Sequence, residues 1–594
     1  MASGTHRRLA SIPRRPSNDS FNSSNIHLEA VPPRSVESGE LNSPYSAASS
    51  IPGYSKTTSI SSKYSLHADP QTWGANLNPR FAEPDDALHN PLVRNGKLVD
   101  EGAQWSWSYR GIMNLGCLLI LSLAFLLLFL GYPVATYSKR SSTTQLGVNA
   151  SGQVPEMNGK FALIDPDTPA DARTKMSWRD NKEWTLIFSD EFNVDGRTFY
   201  PGEDPYWEAV DLHYWQTNNM EWYDPAALTT KDGALRITLS QKETHDLHYE
   251  GGMMSTWNKF CFTDGLVEAN VQLPGANNVV GLWPAVWTMG NLGRAGFGAS
   301  LEGMWPYTYD ACDVGTAPNQ TIGGKPVAAM THGWDDANYR LSFLPGQRLS
   351  RCTCPGESHP GPIHKSDKTY VGRSAPEIDI IEAQVAGDPP VGEVSQSGQF
   401  APFNDNYSWN NATYAIIFDD TVSELNSYKG GSTQQAASVV SKTGQKCYQL
   451  NEDCYAIYGI EYKSGFDDAY IEWINDGKAA WILQGEGLGP DSAVEISTRP
   501  IPMEPLYLLV NLGMSTNFGT PDFDHLVFPA VMSIDYIRVY QDPAKINIGC
   551  DPEDFPTMEY INTYIEAYTN ANLTTWVGDY KQPFPKNSLV DGCD

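Results

Sequence analysis

Three acidic residues crowd one short, apolar stretch of the chain, Pro376–Ala383, whose sequence reads PEIDIIEA. The stretch predicts a β-strand, in which alternate side chains face the same side. Glu377 and Asp379 then share one face, but strict alternation sends Glu382 into the core with the isoleucines. Because an unpaired ionised carboxylate is costly to bury, we predict a β-bulge at Ile380–Ile381. One extra residue returns Glu382 to the face of the other two acids.

Carboxyl groups gathered in this way suit a retaining glycosidase, in which two of them, about 5–5.5 Å apart, act as nucleophile and acid/base. We assign Glu377 as the nucleophile and Glu382 as the proton donor. Asp379, between them, would orient the nucleophile and help to keep Glu382 protonated, since neighbouring like charges raise a carboxyl pKa. An exposed acidic strand or a calcium-binding face is the simpler alternative that the motif alone leaves open.

The segments around this motif predict an all-β sandwich. Short alternating or β-rich runs recur after Trp184, separated by Gly, Pro, Asn and Asp, and no long helical pattern interrupts them, which is typical of such folds. Long loops are expected at 291–375 and 385–455, and long loops in compact domains are often functional. The predicted strands are 184–192, 234–240, 265–274, 281–290, 377–383, 455–462, 470–477, 505–513 and 532–541.

The negative charge of the chain lies in its C-terminal part. The 594 residues carry 41 Lys/Arg and 70 Asp/Glu, a net charge of −29. Residues 1–110 hold 11 basic and 10 acidic residues, which leaves 30 basic (41 minus 11) and 60 acidic (70 minus 10) for 111–594. Because nucleic-acid binding needs clustered Lys and Arg, this balance argues against a nucleic-acid partner and is compatible with a neutral polysaccharide.

A long apolar segment divides the chain. Residues 111–137 contain no charged residue and exceed the roughly 20 residues that a membrane-spanning helix needs. Because a long polar stretch precedes it, the segment predicts a signal anchor that contacts the lipid bilayer through one helix, rather than a cleaved signal peptide. Residues 1–110 are rich in Ser, Pro and Asn without apolar periodicity, so a disordered tail is expected there. Residues 138–180 are expected to be a stalk.

The residues after the anchor favour a tail in the cytoplasm and a C-terminal part in the lumen or outside the cell. Of nine cysteines, Cys117 lies in the apolar segment and eight follow it, an even number that suits disulfides in an oxidising compartment. We therefore expect a single-pass type II membrane protein of the secretory pathway, in the endoplasmic reticulum, Golgi or plasma membrane. Asn-x-Ser/Thr sequons mark candidate glycosylation sites at Asn149, Asn319, Asn406, Asn411 and Asn572.

The pairing of these eight cysteines is open, since 105 arrangements exist. Cys447–Cys454 is predicted to close a short loop, and Cys550–Cys593 to tie down the C-terminal extension. The remaining group of Cys312, Cys352 and Cys354 is expected to form disulfides rather than a metal site, because a CxC pair in an oxidising lumen favours that chemistry.

The acid motif resembles the active-site signature of glycoside hydrolase family 16, Glu-x-Asp-x-x-Glu in its bulged form. A closer resemblance is to the fungal β-glucan synthesis-associated type II membrane proteins of the Kre6/Skn1 family, and it covers roughly residues 184–542. The segments that agree with the hydrolase family are FSDEF (188–192), WQTNNMEWY (215–223), KDGALRITLS (231–240), GLWPAVW (281–287) and IDYIRVYQ (534–541). Those typical of the fungal family are LPGQRLSRCTCPGESHPGP (344–362), RSAPEIDIIEA (373–383) and VSQSGQFAPF (394–403).

The resemblance implies a concanavalin-like β-jelly-roll over residues 181–545, with a cleft across its concave sheet, followed by a C-terminal extension at 546–594. It implies a β-glucan partner, a role in cell-wall β-1,6-glucan synthesis and cell-wall organisation, and association with the glucan-synthesis machinery. It also carries the nucleophile, the supporting acid and the acid/base onto Glu377, Asp379 and Glu382 in that order.

The resemblance bears on cofactors and on reaction type as well. No cofactor is required, although some relatives bind a structural calcium on the convex side, for which Glu191 and Asp535 are the candidates here. Secreted laminarinases of the hydrolase family often have His near the catalytic strand, whereas Ser395, Gln396 and Ser397 follow it in this chain. This departure leaves transglycosylation or weak activity open beside ordinary hydrolysis.

Six residues are candidates for binding sugar. Trp283 and Trp287 share one face of their predicted strand, and their rings can stack on glucosyl units if that face is the cleft. Core packing is the alternative for both rings, since aromatic residues are favoured in sheets. The further candidates are Asn219, Trp222, Trp305 and Gln396.

Two functions remain as alternatives to a membrane-anchored retaining β-glucanase or glucanosyltransferase. The first is a non-catalytic, glucan-binding scaffold for glucan assembly, which has no need of three convergent carboxylates but would fit a cleft narrowed by the long loops. The second is a glycoprotein-folding factor that acts on N-glycan precursors. The acid motif favours the enzyme over both.

Overall fold

The computed structural model describes residues 93–95, 97–98, 109–126, 129 and 162–593. Most of the predicted tail, most of the predicted stalk and Asn149 therefore lie outside the described residues. The first described elements are a hairpin of β1 (Val93–Arg94) and β2 (Lys97–Leu98), and helix α1 (Tyr109–Leu126). In this described part of the chain, no helix has both the length and the apolar character needed to cross a membrane.

Residues 162–593 form an all-β sandwich of two sheets, which confirms the predicted fold class. Sheet A has ten strands and sheet B has nine. The strands are β3 (Thr174–Met176), β4 (Glu183–Asp190), β5 (Glu208–Ala209), β6 (Glu221–Tyr223), β7 (Leu228–Lys231), β8 (Ala234–Leu239), β9 (Tyr249–Ser255), β10 (Gly265–Gln272), β11 (Trp283–Gly290), β12 (Glu377–Ala386), β13 (Val391–Phe400), β14 (Ala415–Ile417), β15 (Ser423–Leu425), β16 (Gln435–Lys442), β17 (Ala456–Lys463), β18 (Tyr470–Asn475), β19 (Lys478–Gln484), β20 (Leu506–Gly513) and β21 (Ala530–Gln541).

The order of the strands places the acid motif in the middle of sheet B. Sheet B runs β15-β16-β13-β12-β11-β20-β9-β5, with β6 joined in parallel to β9. Sheet A runs β14-β19-β18-β17-β10-β21-β4-β3, with β8 on β21 and β7 on β8. Strand β12 thus has a partner on each side, which satisfies its backbone and holds its side chains rigidly.

Short helices occupy the connections. The α-helices after α1 are α2 (Gly298–Leu301), α3 (Ala328–Thr331), α4 (Asn411–Tyr414), α5 (Met558–Thr563) and α6 (Ile565–Thr569). The 3-10 helices are Ala170–Arg173, Trp215–Thr217, Pro225–Ala227, Val314–Thr316, Pro318–Gln320, Asp335–Ala337, Asp405–Tyr407, Gly485–Leu488 and Thr516–Phe518. The predicted loop at 291–375 contains only such short helices among its described elements.

An apolar core fills the space between the sheets. Alternate side chains of each strand point inward, so Ile378 of β12 and Val286 of β11 meet residues of sheet A such as Trp473 and Trp481. These two indoles stack with ring centroids 4.1 Å apart. Burial of each large apolar side chain contributes about 1.5–3 kcal/mol, so this core is the main source of the sandwich's stability.

A second apolar cluster covers part of the outer face of sheet B. It joins Trp287 and Leu509 of the sheet to the loop after β11 and to the C-terminal extension, which contributes Tyr560, Tyr568 and Trp576. The extension therefore packs onto the same sheet face that carries the acids. The aromatic side chains of the extension are thereby buried against the sandwich.

Disulfides hold these connections, and one predicted pairing is wrong. Cys447–Cys454 is confirmed, and Cys312 pairs with Cys352. Cys550 does not pair with Cys593; the bonds are Cys261–Cys550 and Cys354–Cys593. The extension folds back along the loop at 350–354, for example through the hydrogen bond from the Cys354 amide to the Lys586 carbonyl at 2.8 Å, so each of its cysteines meets a partner far away in sequence.

Two segments have more structure than their sequences indicate. The segment 385–455, predicted as a loop, contains β13, β14, β15 and β16. These strands were not predicted because Gly- and Ser-rich sequences such as VGEVSQSGQF lack the apolar alternation by which strands are recognised. Residues 174–176, within the predicted stalk, form β3 and pair with β4 at the edge of sheet A.

Candidate active site

The predicted bulge is present in β12. Asp379 lies opposite Ser397 of β13 and Glu382 lies opposite Ser395, so three residue steps on β12 match two steps on β13. The register against β11 shifts at the same place. Ile380 and its neighbour at 381 are both fully buried in the core, and the three acids consequently line the outer face of sheet B together.

Two side chains from the core fix the bulge by bonding the carbonyl groups that it frees. The indole N–H of Trp473 donates to the Asp379 carbonyl at 2.8 Å. The Gln396 amide donates to the Ile380 carbonyl at 3.2 Å and to the Ile474 carbonyl of sheet A at 3.0 Å. Buried carbonyl groups without partners are costly, so these bonds make the bulge the stable conformation of this strand.

The prediction that Gln396 binds substrate is therefore wrong. Its side chain is fully buried between the sheets, because it lies one residue from Ser395 and from Ser397, which face the acids. The two serines instead form a hydroxyl cluster with Ser438 of β16, at oxygen distances of 2.8–3.0 Å. Asn426 donates to Ser438 at 3.1 Å. Neither Ser438 nor Asn426 carries a recognisable signal in the sequence.

Each acid has its own hydrogen-bond donor. The Trp305 indole N–H donates to Glu377 Oε2, and the Trp283 indole N–H donates to Glu382 Oε1 at 3.2 Å. Asp379 Oδ2 accepts from the Gln399 amide at 2.9 Å. Asp379 is only 1% exposed, whereas both glutamates are half-buried. The aspartate thus forms the floor of the site, and the glutamates are the acids that a ligand can reach.

The surroundings favour protonation of the trio. Burial raises the pKa of Glu382 well above its usual range, and the charge of Asp379 raises it further. Burial also raises the pKa of Asp379, to about 6, although the Gln399 amide and a hydrogen bond to Glu377 oppose the shift. The pKa of Glu377 is raised by burial and by both neighbours, and the Trp305 indole lowers it. Repulsion between neighbouring carboxylates therefore disfavours three negative charges in the site.

Tyr214, which sequence reasoning did not single out, is half-buried against the second apolar cluster. Burial raises the pKa of its hydroxyl well above the usual range, and the charges of Glu377, Asp379 and Glu382 act in the same direction. Its ring lies 6.1 Å from that of Tyr223. The only signal in the sequence was its position next to the WQTNNMEWY segment, which does not indicate this contact with the cluster.

Two of the predicted sugar-binding tryptophans reach the acids. Trp283 and Trp305 bond Glu382 and Glu377 as described, and Trp283 also stacks on Phe518 with centroids 4.5 Å apart. Trp287 lies on the same sheet face, but it is 7% exposed and its indole N–H donates to Asn511 at 2.8 Å. It packs beneath the site as part of the second apolar cluster, so core packing is the correct interpretation of this residue.

The remaining two candidates have structural partners instead. Asn219 is buried and donates to Glu221 at 2.6 Å and to the Tyr223 hydroxyl at 2.9 Å. Trp222 donates to Asp211 at 2.7 Å and stacks on His245 with centroids 4.0 Å apart. Trp222 is half-buried in β6, which joins β9 in sheet B.

The described residues do not support the two calcium candidates. The Glu191 carboxylate is occupied by the Arg538 guanidinium through two hydrogen bonds of 2.7 and 2.9 Å. Asp535 accepts from the Asn270 amide at 2.9 Å. In the part of the chain that the structure describes, no group of three His, Cys, Asp or Glu side chains is arranged to hold a metal ion.

Comparison with known proteins places this geometry in a family. Residues 76–593 match the family model described as beta-glucan synthesis-associated protein SKN1/KRE6/Sbg1. The beta-glucan synthesis-associated protein KRE6 of Saccharomyces cerevisiae is 38% identical over 613 residues, which cover 99% of this chain and 81% of that protein. SKN1 of the same organism is 39% identical over 536 residues, which cover 86% of this chain and 66% of SKN1.

Among solved structures, the catalytic domain of an endo-1,3-beta-glucanase (laminarinase) from Thermotoga petrophila matches with 19% identity and a TM-score of 0.34, covering 61% of this chain and 98% of that domain. The family assignment rests on the sequence matches, which extend through the acid motif and the C-terminal extension. The chain therefore belongs to the SKN1/KRE6/Sbg1 family of β-glucan synthesis-associated proteins.

Proposed function

We propose that this chain is a membrane-anchored, retaining β-glucan hydrolase or transglycosylase that acts in cell-wall β-1,6-glucan synthesis. The observation that carries the proposal is the bulge of β12, which brings Glu377, Asp379 and Glu382 to one sheet face. A binding module has no need for three carboxyl groups that raise one another's pKa. The names of the relatives, which connect them with β-glucan synthesis, support the substrate class.

The roles follow from accessibility and protonation. Glu382, whose pKa is raised by burial and by Asp379, is the group that donates a proton to the glycosidic oxygen. Glu377 attacks the anomeric carbon as the carbon–oxygen bond breaks, which forms a covalent glycosyl ester. Burial and both neighbouring carboxylates raise the pKa of Glu377, and the Trp305 indole N–H opposes this shift, which favours the ionised form that a nucleophile requires. Buried Asp379 orients Glu377 through their shared hydrogen bond.

The second half of the reaction decides between hydrolysis and transfer. Glu382, now a carboxylate, removes a proton from the incoming hydroxyl group, whose oxygen attacks the anomeric carbon and releases Glu377. Water as the nucleophile gives hydrolysis, and a sugar hydroxyl gives a longer glucan. Two aromatic rings and the second apolar cluster beside the acids favour exclusion of water, and hence transfer.

The proposed location is the lumenal side of the secretory pathway, with the segment 111–137 as a type II anchor and the N-terminal tail in the cytoplasm. Four disulfides join the eight cysteines that follow this segment, and such bonds persist in oxidising compartments. Protease treatment of sealed microsomes tests the topology. We expect the tail to be cleaved and residues 162–593 to be protected; cleavage of the C-terminal part in intact vesicles would contradict it.

The catalytic proposal is tested by product analysis with the purified full chain and its Glu377→Gln variant. Defined β-1,3- and β-1,6-linked gluco-oligosaccharides serve as substrates. Products longer than the substrate, absent with the variant, indicate a transglycosylase, and shorter products alone indicate a hydrolase. Gln preserves the volume and the Trp305 bond but cannot act as a nucleophile, so a fully active variant would exclude the proposed mechanism.

A non-catalytic scaffold is the second candidate, because the two indoles and the C-terminal extension narrow access to the acids. In that case neither protein turns over the oligosaccharides, and both bind them equally well. Titration calorimetry on the same two proteins makes the distinction. The two functions thus differ in one measurement on one pair of proteins.

A further inference from the structure

A groove of about 880 Å³ lies at the β5 edge of sheet B, outside the trio of acids. Trp215 and Trp222 line it together with residues 569–572 and Thr574 of the C-terminal extension. Strand β5 is four strands from β12 in the sheet order. At about 4.8 Å per strand, the groove lies roughly 19 Å from the acids, a distance that several linked sugar residues span.

The wall contributed by the extension is rigidly held. The Arg294 guanidinium donates to the Tyr568 carbonyl at 2.8 Å, and the Tyr568 hydroxyl donates to the Leu292 carbonyl at 2.8 Å. The Ala299 amide donates to the Leu573 carbonyl at 2.9 Å. All three bonds anchor the extension to the loop after β11, so the groove exists before any ligand arrives.

The lining suits an uncharged ligand with many hydroxyl groups. Trp215 is 45% exposed, which is unusual for so large an apolar side chain and offers a flat ring to the C–H face of a sugar. The charged groups are already paired: Arg294 bonds Glu208 at 2.8 Å, and Asp211 accepts from the Trp222 indole. An anionic ligand would therefore find no free cation in these pairs.

One short segment connects the groove with the catalytic centre. His213 and Trp215 line the groove, and Tyr214 between them packs against the second apolar cluster. That cluster includes Trp287, the residue of β11 that is paired with Asp379 of β12. Because β5 and β12 belong to the same sheet, a chain that leaves the groove across the outer face of sheet B reaches the acids. The groove has a mixed wall, because residues of β5 line it together with residues of the extension.

We propose that the groove binds a stretch of β-glucan chain whose reacting end lies at the acids, and that the C-terminal extension thereby sets the length of glucan that the protein engages. The inference rests on the proposed function for the identity of the ligand. The inference goes beyond the proposed function because it assigns a separate binding site to Trp215 and to residues 569–572 and Thr574. Glucan bound there contacts this protein several sugar residues away from the bond that reacts.

The test measures binding rather than turnover, in the full chain carrying Glu377→Gln so that no substrate is consumed. Titration calorimetry compares laminarioctaose with laminaribiose, and β-1,6-linked oligosaccharides of the same lengths. With Trp215→Ala, we expect the affinity for laminarioctaose divided by the affinity for laminaribiose to fall about tenfold. A loss of this size is usual when one aromatic binding residue is removed. Trp334→Ala, at an exposed tryptophan elsewhere (39% exposed), is the matched control and should leave the ratio unchanged.

A second variant keeps the test independent of the indole itself. Ala571→Arg fills the groove from the wall of the extension, and we expect a similar loss of preference for the long ligand. If both variants retain the wild-type ratio, the inference is overturned. Because binding is measured without catalysis, that result is distinct from a failure of the proposed reaction, which appears only as absent turnover in the unmodified chain.

The sequon at Asn572, which lines the groove, allows a final control for occupation of the groove by an N-glycan of the chain itself. If the chain's own N-glycan occupies the groove, Asn572→Gln should increase the affinity for laminarioctaose, and Trp215→Ala should have no effect in the glycosylated protein. That outcome would overturn the inference in favour of an internal glycan. Equal affinity of the Asn572→Gln variant and the parent supports the groove as a site for external glucan.

Discussion

The two indoles at the acids allow the catalytic roles to be tested separately. Trp305 donates to Glu377, and Trp283 donates to Glu382. Trp305→Phe and Trp283→Phe each remove one N–H and keep most of the aromatic surface. In both cases the lost donor had favoured the ionised carboxylate, so each substitution should raise the pKa of its own partner.

The magnitude follows from the energy of the bond. A hydrogen bond to a charged group contributes about 1.5–3 kcal/mol, and one pKa unit corresponds to about 1.36 kcal/mol. Each substitution should thus raise the affected pKa and change kcat/KM on the affected limb by about 10–100-fold. A nucleophile must be ionised, so Trp305→Phe should shift the acidic limb of the pH profile of kcat/KM upward. A general acid must be protonated, so Trp283→Phe should shift the alkaline limb upward and leave the acidic limb in place.

The assay is the pH dependence of kcat/KM on one β-gluco-oligosaccharide for the parent and both variants. Trp334→Phe, at an exposed tryptophan remote from these bonds, is the control and should leave both limbs unchanged. Thermal unfolding of each variant establishes that the fold persists. If Trp305→Phe moved the alkaline limb and Trp283→Phe the acidic one, the assignment of nucleophile and acid/base would be reversed. If neither limb moved, the indoles would have no part in tuning the acids.

Three further predictions concern stability. Glu472 of β18 lies directly opposite Glu461 of β17. Burial and the charge of Glu461 raise the pKa of Glu472 to about 7. The charged form of Glu472 therefore destabilises the folded state above pH 4.5, increasingly up to about pH 7. Glu472→Gln should stabilise the protein by about 1–3 kcal/mol at pH 8 and not at pH 4, by urea denaturation; equal gains at both pH values would contradict this. Arg373 donates two hydrogen bonds to the buried Glu504, at 2.8 and 2.9 Å. Arg373→Met should therefore lower the free energy of unfolding by about 3–5 kcal/mol, and adding Glu504→Gln should restore part of that loss. Fully additive effects of the two substitutions in thermal unfolding would exclude coupling between the residues. Gln396→Leu should cost about 1–3 kcal/mol with KM little changed; a raised KM without loss of stability would return Gln396 to the substrate site.

The motif at 376–383 was sufficient to predict the bulge because the reason for it is local. Three acids in an apolar strand can avoid burial of one carboxylate only by a change in alternation. The sandwich was predictable for the same kind of reason, since strands such as β4 and β21 alternate in hydrophobicity along the chain. Both conclusions depend on neighbours within a few residues.

The face of Gln396 was not predictable in this way. In a strand such as β13, where the neighbouring residues Ser395, Gln396 and Ser397 are all polar, the sequence does not reveal which alternate residues face the core. Only the register of β13 with β12 places Ser395 and Ser397 beside the acids. Strand β16 was missed because Ser and Ala residues give no strong pattern. In each case the missing information lay in a partner strand distant in sequence.

The sequence by itself determined the acid trio on one strand face, the all-β class and the family, whereas the order of catalytic roles stays a prediction. Only the tertiary structure decided that Trp305 bonds Glu377, that Trp287 belongs to a packed cluster, and that Cys550 pairs with Cys261 rather than Cys593. The physical reason is the range of the interactions. Periodicity and charge repulsion act between near neighbours, whereas loop packing and disulfide pairing depend on which distant segments the folded sheets bring together.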